Sequence, residues 1–263
     1  MAKEKVKKTR QGNKKNNEKS SVEEEYGQER SFPIVGIGAS AGGLEAFEQF
    51  FSKMPSDSGI AFVLIPHLDP THASMMTELL RRVTKMEVTE AKEGMKVKPD
   101  HVYVIPPNKE MSIFHGTLNL EAPKMAHGLR MPIDAFFRSL AEDQGEVAIG
   151  IILSGTGSDG TLGLRAIHGA GGIVMVQEPK TAKYAGMPSS AAQTGLVDYI
   201  LPAEKMPSQL HSYVKKFVKK GKVPVTEKRE ITLRKILSII HPERIMTSPF
   251  TKRRPSTGGL KNG

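Results

Sequence analysis

From residue 32 onward the chain alternates short apolar runs with amphipathic stretches, and this rhythm restricts it to one broad class of fold. The runs at 33–38, 60–66, 102–106, 147–153, 172–176 and 197–201 are five to seven residues long, the length of strands rather than of buried helices. The stretches 43–53, 74–83, 133–144, 162–170 and 189–194 fit helices, and Pro132 ahead of Ile133 is a start signal for one of them. Strand, helix and strand in succession form the βαβ unit. The expected architecture is therefore α/β: a three-layer αβα sandwich around a mostly parallel, doubly wound sheet. Residues 109–120 break the rhythm, alternating around His115-Gly116, and predict a single β-hairpin. Residues 211–220 repeat apolar positions every three or four and predict a basic closing helix.

A chain of 263 residues with 38% apolar content supplies one sizeable core, not two. Residues 1–30 are Lys, Glu, Asn, Gln and Ser with little to bury, and are expected to form a disordered polar arm. The folded domain is expected over 31–220. Residues 221–263 are expected to be a basic, loosely ordered tail with a short helix at 232–240. The formal charge of +10 invites a nucleic-acid reading, but residues 31–210 hold fifteen Lys and Arg against nineteen Asp and Glu. The excess lies at the ends, without an aromatic stacking platform, so no specific nucleic-acid partner is expected. The absence of cysteine excludes disulfides, thiol nucleophiles, cysteine-based zinc sites and iron–sulfur clusters. No apolar run reaches the ~18 residues of a membrane span and the N-terminus lacks a signal-like apolar core. A cytoplasmic protein with no membrane insertion, no metal and no other cofactor is expected.

Three loops, each following an apolar strand, carry the candidate chemistry. The first is Ile34-Val35-Gly36-Ile37-Gly38-Ala39-Ser40-Ala41-Gly42-Gly43, a strand entering a glycine turn. Small neighbours leave the Ser40 hydroxyl accessible at the carboxyl end of a parallel strand, where open α/β sheets bind ligands. Gly36-x-Gly38-x-x-Ala41 also matches a dinucleotide fingerprint, but the next strand ends in Pro66-His67 instead of the acidic residue that would hold a ribose. His67 is the one histidine of eight placed directly at a strand end, suited to act as general base for a neighbouring serine. The third loop, Ser154-Gly155-Thr156-Gly157-Ser158-Asp159-Gly160-Thr161, offers a carboxylate to orient that histidine. Asp159 is equally a residue type that caps a following helix. The glycines around it free backbone N–H groups for an oxyanion or an anionic substrate group, and the Gly-Lys-Ser/Thr ending of a phosphate-binding loop is missing.

Together these residues resemble the catalytic domain of CheB-type chemotaxis protein-glutamate methylesterases, over about Phe32 to Leu201. The resemblance rests on Gly38-Ala39-Ser40-x-Gly42-Gly43, Pro66-His67, Val104-Ile105-Pro106-Pro107, Pro132-Ile133-Asp134, Gly155-x-Gly157-x-Asp159-Gly160 and Gly186-Met187-Pro188-Ser189. It implies Ser40 as nucleophile, His67 as general base and acid, and Asp159 as its orienting partner, with hydrolysis of glutamyl methyl esters, and deamidation of glutamines, on a methylated chemoreceptor or receptor-like protein. Thr156, Gly157, Ala41 and Met187 are the expected oxyanion and substrate residues. Many relatives carry Thr in place of Ala41, and Met and Asn in place of Thr156 and Ser158. The usual member begins with a receiver domain, which thirty polar residues cannot form, so control by that phosphorylation switch in cis is not expected. The segments around 136–143 and 153–164 look like modules fused ahead of a receptor methyltransferase, so a truncated or split member of that class is expected, with a methyltransferase encoded nearby. The competing reading is an interaction module that keeps the fold without the chemistry.

Overall fold

A computed structural model describes residues 32–67, 73–123 and 130–220. The arm at 1–30, the tail at 221–263 and the short helix expected at 232–240 lie outside the described residues. At the centre stands β1 (Ile34–Ala39), completely buried. It pairs on one side with β2 (Ala61–Pro66) and on the other with β8 (Ile149–Ile152). Beyond β2 lie β5 (His101–Val104) and β3 (Glu87–Glu90); beyond β8 lie β9 (Ile173–Gln177) and β10 (Tyr199–Leu201). All six pairings in this seven-stranded sheet are parallel. The chain builds outward from β1 in one direction, returns, and builds outward in the other. The reversal falls between β1 and β8, the crevice in which doubly wound sheets bind ligands.

Side chains alternate along β1, and this parity assigns the two helical layers. Val35, Ile37 and Ala39 enter a core with Phe47, Phe50 and Phe51 of α1 (Gly43–Phe51), Leu80 of α2 (Ala73–Val83) and Leu210 of α6 (Met206–Lys220). Phe50, Phe51 and Phe62 meet edge to face with ring centroids 5.1–5.9 Å apart, each such pair adding about 1 kcal/mol beyond simple burial. Gly36 and Gly38 face the opposite layer, α3 (Pro132–Gln144), α4 (Thr161–Gly169) and α5 (Gly186–Ala192). A Cβ on Gly38 would lie 2.4 Å from Ile133 Cγ2, and one on Gly36 would lie 2.8 Å from the Phe137 ring. The spacing that imitates a dinucleotide fingerprint therefore serves to seat α3 directly on the sheet.

The hairpin forms as expected between β6 (Glu110–Phe114) and β7 (Thr117–Glu121). His115 and Gly116 both take positive φ, 47° and 68°, as a two-residue hairpin turn requires. Two strands went unpredicted. β4 (Met95–Lys96) adds a third member to the hairpin sheet, and β3 extends the parallel sheet at its edge. Only Val88 of β3 is buried, so no apolar run announces that strand.

Candidate active site

The register of the central strands brings the first two loops together. Ala39 stands opposite Pro66 at the ends of β1 and β2, so Ser40 and His67 leave adjacent strands at the next position. The His67 N–H closes the ladder on the Ala39 carbonyl at 2.9 Å. On the other flank, Leu153 N–H donates to the Gly38 carbonyl and Ser40 N–H to the Ser154 carbonyl, both at 2.9 Å. Three backbone bonds thus fix the serine, histidine and glycine loops on one edge of the sheet.

The third loop closes the arrangement. His67 Nε2 lies 2.6 Å from Asp159 Oδ2, with the histidine side chain 30% exposed and the aspartate 3% exposed. A carboxylate only accepts, so Nε2 carries the hydrogen and the ring lone pair falls on Nδ1. Asp159 is held from every side. Oδ2 also accepts the Ile133 N–H at 3.0 Å, and Oδ1 accepts the N–H groups of Asp134 at 3.0 Å and Gly160 at 2.8 Å. Pro132 at the first position of α3 has no N–H, so Ile133 and Asp134 are the first free donors of that helix. Asp159 caps a helix as its residue type allows, but a different one from the helix it precedes. Ser40 Oγ and His67 are adjacent in register without a hydrogen bond between them among the described contacts; such bonds commonly tighten only when substrate is present.

The remaining expected site residues divide. Ala41 is half-buried, and Thr156 and Gly157 are exposed, and the N–H groups of all three donate to no acceptor among the described residues. They are available to an oxyanion. Met187 is fully buried, and its N–H donates to the Gly155 carbonyl at 2.9 Å. Its side chain packs beneath the glycine turn, out of reach of a substrate. A Cβ on Gly155 would lie 2.2 Å from Met187 Sδ and 2.9 Å from Ser40 Cβ. Gly155→Ala is therefore expected to cost about 1–3 kcal/mol, read as a lowered melting temperature, and to displace Ser40. An unchanged melt would mean that the turn has slack.

Ser154 opens the third loop, and its part in the site is structural. Buried at 1% exposure, it donates through Oγ to the Ala41 carbonyl at 2.9 Å and accepts the Tyr184 N–H at 3.0 Å. Its own N–H goes to Oε1 of buried Gln177 at 2.8 Å. This network ties the serine elbow, the glycine loop and the segment before α5 into one unit, and residue types alone gave no signal for it. Beside His67 opens a groove of about 440 Å³, walled by Pro66, Pro106, Pro107, Lys109, Arg130 and Pro132. Among the described residues no group of three or more potential metal ligands occurs, and no helix is long and apolar enough to cross a membrane.

Residues 35–210 match the family model described as CheB methylesterase. A Pyrococcus horikoshii protein named protein-glutamate methylesterase/protein-glutamine glutaminase is 33% identical over 177 residues, covering 66% of this chain and 48% of that protein. A Leptospira interrogans homologue is 33% identical over 177 residues, covering 67% of this chain and 92% of its own. An uncharacterized 104.1 kDa protein of Rhodobacter capsulatus is 43% identical over 139 residues, of which the match covers 14%. The chain thus spans about half the length of the Pyrococcus relatives and far less of the Rhodobacter protein. The crystal structure of the Thermotoga maritima CheB methylesterase catalytic domain superposes with a TM-score of 0.65 at 30% identity, covering 69% of this chain and 98% of that one.

Proposed function

Since the chain belongs to the CheB methylesterase family, we propose that it hydrolyses glutamyl methyl esters on a methylated chemoreceptor or receptor-like protein, with Ser40, His67 and Asp159 as a catalytic triad. The observation that carries this reading is the 2.6 Å contact between His67 and buried Asp159, on the sheet edge from which Ser40 leaves. Ser40 Oγ attacks the ester carbonyl carbon while His67 Nδ1 takes the hydroxyl proton. Asp159 holds Nε2–H throughout and stabilises the imidazolium. The free N–H groups of Ala41, Thr156 and Gly157 are the donors for the tetrahedral oxyanion. Collapse breaks the bond to the methoxy oxygen, which leaves as methanol with the proton from His67. Water then attacks the acyl-enzyme, giving its proton to His67; the bond to Ser40 Oγ breaks as His67 returns that proton to Oγ, and the glutamyl carboxyl is released and ionises. A glutamine side chain in the same position releases ammonia by the same steps.

The groove beside His67 accommodates the residues flanking the glutamyl ester. A cytoplasmic location, and a methyltransferase partner encoded nearby, belong to this same proposal. The test is to incubate the purified chain with receptor carrying labelled glutamyl methyl esters and count released methanol. Release above the uncatalysed background is expected. None would leave the interaction-module reading in place of the enzyme.

A further inference from the structure

Neither α3 nor α4 is capped by its own N-cap side chain: Met131 and Gly160 make no such bond. Each helix is capped by an aspartate from the other's end. Asp159, just ahead of α4, accepts the first free N–H groups of α3. Asp134, in the first turn of α3, returns the exchange: its Oδ1 accepts the Gly163 N–H of α4 at 2.7 Å. The result is a closed ring, from Asp134 N–H to Asp159, along the chain to Gly163, and from Gly163 N–H back to Asp134. Gly163 makes the crossing close enough, since a Cβ there would lie 2.5 Å from Phe137 Cβ and 3.1 Å from Asp134 Cα. His67 hangs on the Asp159 side of the ring.

We propose that Asp134 is a positioning residue for the active site: by clamping the start of α4 to the start of α3, it fixes the Asp159 carboxylate at the angle His67 requires. This rests on the triad reading of Ser40, His67 and Asp159. Asp134 is 1% exposed, and its Oδ2 is buried without a hydrogen-bond partner. Burial pushes its carboxyl above the ordinary carboxylate range; the Gly163 N–H pulls it back, the charge of Asp159 adds to the rise, and Arg138 on its own helix opposes it. A carboxylate so placed costs stability at neutral pH. Because the folded value is raised, its favourable contribution is present below the unfolded carboxylate value and is lost as pH rises through the folded one. Asp134→Asn, which keeps the acceptor for Gly163, is therefore expected to melt higher than the parent at pH 7, with the gain shrinking towards pH 4.

In the full chain, Asp134→Ala is expected to lower kcat for methanol release about 10–100-fold with KM within roughly twofold, while Asp134→Asn stays within about threefold of the parent. A second readout does not depend on turnover. In protein labelled with ¹⁵N-histidine, the low-field ring N–H signal of His67, assigned by its loss in His67→Gln, should disappear through exchange in Asp134→Ala and persist in Asp134→Asn. A lower melting temperature in Asp134→Ala with kcat and the His67 signal intact would overturn the proposal, leaving Asp134 a helix cap only. Should Asp134→Ala not fold, Asp134→Asn decides: a retained signal supports the clamp and a lost one overturns it. A parent chain that releases no methanol, but whose His67 signal follows residue 134 as described, defeats the enzymatic reading and leaves the positioning intact.

Discussion

Ser40→Ala is expected to reduce methanol release from a glutamyl methyl ester by about 10⁴–10⁶-fold while leaving the melting temperature unchanged. The two halves of this expectation have separate causes. The fold uses the backbone of Ser40: its N–H donates to Ser154 and its carbonyl accepts the Gly43 N–H at 2.8 Å, and both survive in alanine. The hydroxyl has no partner among the described residues, so its loss leaves no hydrogen bond broken there. His67→Ala is expected to fall about as far, and the double variant no further, because the residues act as one unit. A Ser40→Ala protein with more than about a tenth of parental turnover would remove Ser40 from the chemistry, since no intact triad loses its nucleophile so cheaply.

Asp159→Asn should damage both chemistry and fold. Both carboxylate oxygens are acceptors, Oδ1 from two backbone N–H groups and Oδ2 from the Ile133 N–H and His67. An amide has one oxygen. Either orientation of Asn sets its NH₂ against two donors in a site only 3% exposed. One orientation breaks the hold on His67 and forces the other tautomer; the other loosens the loop before α4. We expect kcat to fall about 10⁴-fold, as for loss of the orienting carboxylate elsewhere, and stability to fall by roughly 2–4 kcal/mol. A paired kinetic and thermal measurement separates the roles. A lowered melt with parental kcat would leave Asp159 a helix cap and refute its place in the triad.

The parallel sheet, most of its strands and the hairpin were legible because the central apolar runs, those of β1, β2, β8 and β9, are fully buried, and the hairpin alternates about a turn. β3 was illegible for the opposite reason: an edge strand covered on one side needs only Val88 inside, and one apolar residue in four is no pattern. The helix expected at 189–194 begins earlier, at Gly186, and the closing helix begins at Met206, because tertiary contacts of Met187 and Met206, both fully buried, extend them beyond their local signals. Ser40, His67 and Asp159 stood out because each follows a strand in a glycine-rich or proline-marked loop. The roles of Ser154, Gln177 and Asp134 did not, because these residues act through hydrogen bonds to segments 23 to 113 residues away.

The sequence by itself determined that strands alternate with helices and that a serine, a histidine and an aspartate each sit just past a strand. Periodicity and turn chemistry are local, and a single chain displays them. Only the tertiary structure decided that β1 lies between β2 and β8, which makes neighbours of loops separated by up to 119 positions in the chain. It alone decided that Asp159 caps α3 while Asp134 caps α4. Hydrogen-bond partners across a fold are chosen by where packed helices meet, and here they meet closely because Gly36, Gly38 and Gly163 have no side chain to keep α3 away.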